Sequence, residues 1–254
     1  RLSGADNDHG VPLQRQIRAT LRASRSDGGD ENAGVNIDAA GNDDRILRGH
    51  GILRTPPAWH AWYERSRPRK GAWELRGEVG LQRGGLGDRD IGWSASFGPT
   101  YFVSDALNVF ATLSAEHAPN WTVWQHDDLV GSFDQHALQL DAGLNWVIGM
   151  RQELRMKLQA IGLDARLRQA WRAAADGTPV AVDEPVDDFS LRNLGFQLRY
   201  RYVLAPLSDL YVVYARGGYA MDPHARDEAG QLRDAFSLRD DEQLVVKLSY
   251  RFEL

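Results

Sequence analysis

The stretch 72–82, AWELRGEVGLQ, sets Trp73, Leu75, Gly77, Val79 and Leu81 against Glu74, Arg76, Glu78, Gly80 and Gln82. A period of two places one set on each side of an extended chain, which is a half-buried strand and not a helix. The same alternation returns at 107–116, where Leu107, Val109, Ala111, Leu113 and Ala115 oppose Asn108, Phe110, Thr112, Ser114 and Glu116. It returns again at 138–148, 194–204 and 243–254. Weaker versions at 13–23, 58–65, 91–104, 153–162 and 209–217 bring the expectation to about ten strands, many near the roughly 9 to 11 residues that a tilted membrane strand needs. Segment 151–174 also has amphipathic helical character, but its first half alternates and reads as a strand followed by a loop.

The connections alternate as well. Short links are expected at Arg67–Gly71, around Asp105, at Gly149–Gln152 and at Ala205–Ser208, and long polar links at 24–57, 83–90, 117–134, 167–189 and 218–241. Short turns on one side and long loops on the other describe a barrel in an outer membrane, whereas a sandwich core explains only the one-sided apolarity. The expected fold is therefore all-β, an antiparallel transmembrane β-barrel of the Gram-negative outer membrane. Residues 1–254 form one barrel region, and the abrupt opening at Arg1 suggests that it is the C-terminal part of something larger. The ending LVVKLSYRFEL, with Tyr250, Phe252 and Leu254, reads as the signal for the barrel-assembly machinery.

Composition narrows the alternatives. No apolar run approaches the roughly 18 to 20 residues of a spanning helix, but a barrel strand hides its lipid-facing residues among polar ones. A net charge of −5 speaks against nucleic-acid binding. The absence of cysteine removes disulfides and thiolate chemistry.

Two stretches, DDFSLRNLGFQLRYRYVLAPLSDLYVVYARG at 187–217 and the ending LVVKLSYRFEL, together with ILRTPPAWHAWYERSRPRKGAWELRGEVGL, resemble a family of uncharacterised outer-membrane proteins. In that family a periplasmic family-9-like carbohydrate-binding module precedes a C-terminal β-barrel. The resemblance implies that this chain is the barrel part, and it brings no catalytic motif.

The polar faces supply the site candidates. Arg76, Glu78, Asp141, Arg155, Lys157, Arg199, Arg201, Lys247 and Arg251 are expected to line the lumen, with cations outnumbering carboxylates. Such a wall suits anionic solutes, but paired arginines and carboxylates equally make a structural network that fills a closed barrel, and for these charges the network is the favoured reading. Ser94, Ser96 and Ser114 with His117 make a catalytic set only by assumption, so no enzyme is expected. The group His126, Asp127, Asp128, Asp134 and His136 lacks a recognised ligand spacing, so neither a metal nor a cofactor is expected. The functional expectation is a channel or uptake component, with carbohydrate-derived solutes implied by the resemblance. The alternative is a plugged barrel that anchors a periplasmic module, and an outer-membrane hydrolase ranks third. Expected partners are outer-membrane lipid and lipopolysaccharide, the assembly machinery and a periplasmic or surface accessory protein.

Overall fold

A computed structural model describes residues 1–8, 10–87, 90–224 and 226–252. The chain runs through β1 (Leu2–Asp6), β2 (Pro12–Ser24), β3 (Asp30–Asp38), β4 (Gly41–Asp43), β5 (Leu53–Thr55), β6 (Ala58–Lys70), β7 (Trp73–Arg83) and β8 (Gly92–Phe102). It continues through β9 (Leu107–His126), β10 (Leu129–Ile148), β11 (Gln152–Ala173), β12 (Pro179–Val182), β13 (Phe189–Ala205) and β14 (Ser208–Asp222). Helix α1 (Glu228–Ala235) and strand β15 (Asp241–Ser249) complete it.

The strands form an antiparallel meander in the order β1-β2-β3-β6-β7-β8-β9-β10-β11-β13-β14-β15, with β12 beside β11 and β4–β5 as a separate pair. Among the described residues β1 and β15 are the two edges of the arc.

From β7 to β15 register keeps side-chain parity through the belt, and bulges in β9–β11 interrupt it higher up, around Ser132 to Gln135 of β10. One row of partners reads Trp73, Tyr101, Val109, Leu144, Met156, Leu198, Tyr214 and Leu244, crossing from β7 to β15 on one face. A second reads Gly77, Phe97, Leu113, Leu140, Ala160 and Leu194 on that same face. A one-residue slip would send every one of these side chains to the opposite face, so the alternation in the sequence pins the register.

Over most of its height nothing among the described residues packs on the apolar face. Val79 is 54% exposed, Leu113 52% and Leu244 67%. A bare apolar face that crosses this many strands has lipid as its natural cover, and among the described residues the one further sheet, the short pair β4–β5, is too small to make a sandwich. From Leu138 to Trp146 strand β10 spans roughly 26 Å along its length, or about 20 Å after a tilt of ~40°, close to the ~25 Å apolar band of an outer-membrane barrel. Trp73 and Tyr101, with ring centroids 4.7 Å apart, lie at the lower margin of this belt, and Trp146 lies near the lower end of β10.

Two of the buried clusters lie above the belt, and the third covers its upper margin. Leu47, Leu53, Leu86 and Val130 pack with Trp124 and Trp171. Phe133, Ala165 and Phe189 form a second group, and Ala160, Leu194, Ala235 and Leu238 a third under α1.

Short turns at 25–29, 71–72, 103–106, 149–151 and 206–207 occupy one edge of the sheet. Gly71 and Gly149 have φ of +64° and +61°, the left-handed geometry that tight hairpins require and glycine adopts without a Cβ penalty.

Several expectations about connections are corrected. The segment 24–57 is not one loop, because it contains β3, β4 and β5. Ala33, Val35 and Ile37 of β3 alternate with Asn32, Gly34 and Asn36, but small and amide side chains make that signal weak. The added strand reverses the expected direction of β2, which ends at the short-turn edge. Segment 117–134 is a continuous hairpin of β9 and β10 that turns through 127–128, where Trp124 Nε1 donates to the Asp127 carbonyl at 3.0 Å. Segment 151–174 is strand almost throughout, and so the expected loop at 167–189 shrinks to 174–188 with β12 inside it. The last strand stops at Ser249. Tyr250 and Phe252 follow it in edge-on ring contact at 5.0 Å, and Glu253 and Leu254 lie outside the described residues.

Candidate functional site

The face opposite the apolar belt is polar, and its charges are sorted by strand. On β6 and β7, Glu64 stands directly across from Glu78, and Arg76 pairs with Glu64 diagonally. The row continues through Ser96 on β8 and Ser114 on β9. Above it Gln82 Nε2 donates to Glu116 Oε1 at 3.3 Å. Strands β6 to β9 thus present mainly carboxylates and hydroxyls in the lumen direction.

Strands β11 to β15 present mainly cations. Arg155 lies across from Arg199, and the adjoining row runs Glu153, Arg201, Tyr211 and Lys247. Arg155 is neutralised by Glu153 on its own strand, and Arg201 holds Asp209 through two hydrogen bonds of 3.1 and 3.0 Å. Asp141, between the two regions, accepts from Gln139 at 2.6 Å and from Gln159 at 2.9 Å. Among the described residues Lys157, Arg199 and Lys247 have no carboxylate within ion-pair distance. Like charges directly opposed on neighbouring strands are destabilising unless water or a ligand screens them, so the Arg155–Arg199 pair marks a wet surface.

The structure therefore brings Asp141, Arg155, Lys157, Arg199, Arg201 and Lys247 onto one patch of the polar face. Arg76 and Glu78 share that face but belong to the acidic region on β7. Arg251 follows the end of β15, and its backbone N–H donates to Ser208 Oγ at 3.0 Å at the short-turn edge. Register also separates Ser94, Ser96 and Ser114 from His117, which is the partner of Trp93 on the apolar-face side. That set cannot assemble as a triad.

The histidine-rich hairpin is organised differently from the group expected from sequence. His126 Nδ1 and Asp127 Oδ2 meet at 3.2 Å near the turn, while Asp128 is held with Glu184 by Arg172. This guanidinium keeps the Glu184 carboxyl below its ordinary range, chiefly by hydrogen bonding. Asp134 and His136 lie further down β10, where His136 is the cross-strand partner of His117. Nε2 of His117 donates to Asp134 Oδ1 at 2.7 Å, His136 Nε2 is 3.9 Å from the same oxygen, and the two imidazoles stack at 4.4 Å.

These residues stand above the belt, outside its membrane-spanning part. Burial alone would raise the Asp134 carboxyl, but hydrogen bonds from His117 and Arg168, and their charge, hold it below its ordinary range. On β11, Asp164 is 2% exposed and faces the opposite pull: burial pushes its carboxyl up to about 6, with Glu228 of α1 adding to the rise and His136 and Arg166 opposing it. Spacing along the sequence gave no hint that His117 joins this group, because only the hairpin register brings it there.

The sequence matches no protein-family model and no curated protein. Among solved structures it is similar to one titled "Copper transporter OprC", with a TM-score of 0.51 and 12% identity over 96% of this chain. The chain spans 39% of the length of that protein. At this identity the likeness carries the fold, an antiparallel outer-membrane β-barrel, and says nothing of a carbohydrate-binding module.

Proposed function

We propose that this chain is the wall of an outer-membrane barrel that passes or takes up small solutes, with the patch on β11 to β15 favouring anions. The observation that carries the reading is the set Lys157, Arg199 and Lys247 on β11, β13 and β15 of the polar face, cations that have no carboxylate partner among the described residues. Charged rings and walls of this kind select ions by sign in aqueous pores, and the carboxylates of β6 to β9 give the opposite region of the face the opposite sign. Likeness to a transporter barrel supports uptake as the class of activity. The family resemblance alone supports carbohydrate-derived solutes, among which acidic sugars suit a basic wall.

A second reading, a side-chain-filled barrel that anchors another module, is favoured by the ion pairs Arg76–Glu64, Arg155–Glu153 and Arg201–Asp209. Conductance of the full-length protein in planar bilayers separates the two. Resolved current steps with a reversal potential displaced toward anions support the channel, and Arg199→Glu should move that potential toward cations. A heat-modifiable, folded barrel that carries no current sinks the channel reading in favour of the anchor.

A further inference from the structure

Among the described residues, His117, Asp134 and His136 are the one group whose three metal-competent atoms all lie within 4.8 Å of one another. We propose that they bind a divalent first-row transition-metal ion of the zinc class, on the outward face just above the apolar belt.

The geometry follows from strand structure. Asp134 and His136 are two residues apart on β10 and share a face, and His117 is directly across from His136 on β9. Ligands at 2.0 to 2.1 Å in a tetrahedral arrangement sit ~3.3 Å from one another. The observed separations of 2.7 Å and 3.9 Å about Asp134 Oδ1 bracket that distance, so small side-chain rotations admit the ion. The proton that His117 now shares with Asp134 is the one a metal displaces.

The surroundings favour a cation. Arg168 Nη2 donates to Asp134 Oδ2 at 3.2 Å, fixing the carboxylate while leaving Oδ1 toward the histidines, as an outer-shell partner does. Asp164 is the cross-strand partner of His136. It is almost wholly buried, and its Oδ1 has no hydrogen-bond partner among the described residues. Asp90, Asp134, Asp164 and Glu228 supply four carboxylates around this spot against the two guanidinium groups of Arg166 and Arg168. A divalent ion offsets that excess of two. Two imidazoles and one carboxylate suit zinc, copper or nickel and disfavour calcium and magnesium, which prefer all-oxygen shells. Three protein ligands leave a coordination position for water or an exogenous ligand. The proposal is independent of whether the barrel conducts.

The test uses Zn2+ with the full-length protein in detergent, without a histidine tag. Expected after gel filtration is about one Zn2+ per folded chain. Changing His117→Ala together with His136→Ala should weaken binding at least ~10-fold, whereas His126→Ala at the hairpin tip should leave it unchanged. Folded wild-type protein that retains no Zn2+, or a double variant that binds as well as wild type, overturns the proposal. If the double variant fails to assemble, Cu2+ electron paramagnetic resonance of the wild type decides. Coupling to two imidazole nitrogens supports the site, and coupling to none or one overturns it.

Discussion

The lower and upper halves of β10 and β11 belong to one ladder with unbroken parity from 135 to 148, yet they solve opposite problems. Below, Leu144, Trp146 and Met156 face outward outside the three buried clusters, and Trp146 is 39% exposed. Above, the same face carries His136, Asp134, Asp164 and Arg166, and α1 is laid across it. Alternation decides which residues share a face. What that face meets is decided by how far the strand projects beyond the lipid.

The largest effect should come from a charge in the lower half. Leu198→Arg places a guanidinium on the belt, where the cost reaches ~2–4 kcal/mol near the midplane. The heat-modifiable fraction after refolding into vesicles should fall sharply. Val180→Arg on β12, above the belt and half exposed, should change it by less than ~0.5 kcal/mol. Equal losses for the two would show that the belt has been drawn in the wrong place.

The next effect distinguishes two glycines of the outward face. A Cβ on Gly162 would come within 2.3 Å of backbone atoms of α1, at the Glu228 carbonyl and the Leu232 nitrogen. Gly162→Ala should therefore lift the helix at a cost of ~1–3 kcal/mol, read as faster hydrogen exchange across 228–235. At Gly77, in the belt, the nearest atom would be 3.5 Å away, an ordinary contact. Gly77→Ala should leave exchange and assembly unchanged.

The smallest effect is a pH dependence confined to the upper half. The Asp164 carboxyl is raised from 3.8 to about 6, so the folded state holds its proton more tightly than the unfolded chain does. Its contribution is thus least unfavourable below the unfolded value, and stability is lost as pH rises from about 4 through about 6. Exchange of α1, corrected for intrinsic rates, should quicken over this window. Asp164→Asn should flatten the profile, and a profile unchanged by that substitution would remove Asp164 as its cause.

Strand identity in the belt was legible because lipid on one side and water on the other enforce a period of two, as in 72–82 and 194–204. β3 escaped notice because Ala33 and Gly34 contribute little contrast, and the upper parts of β9 to β11 because above the lipid their outward face turns polar. That the charged residues of β10 to β15 share the polar face was legible from the same alternation. Their division into an acidic and a basic region was not, since it depends on which strands become neighbours.

The sequence by itself determined the all-β class, the facing of each belt residue and most of the short turns, all set by interactions local along the chain. Only the tertiary structure decided the pairing of His117 with His136, the burial of Asp164 beneath α1 and the opposition of Arg155 to Arg199. Each joins residues on different strands, and cross-strand distance is set by hairpin register and loop return, which leave no fixed spacing in the sequence.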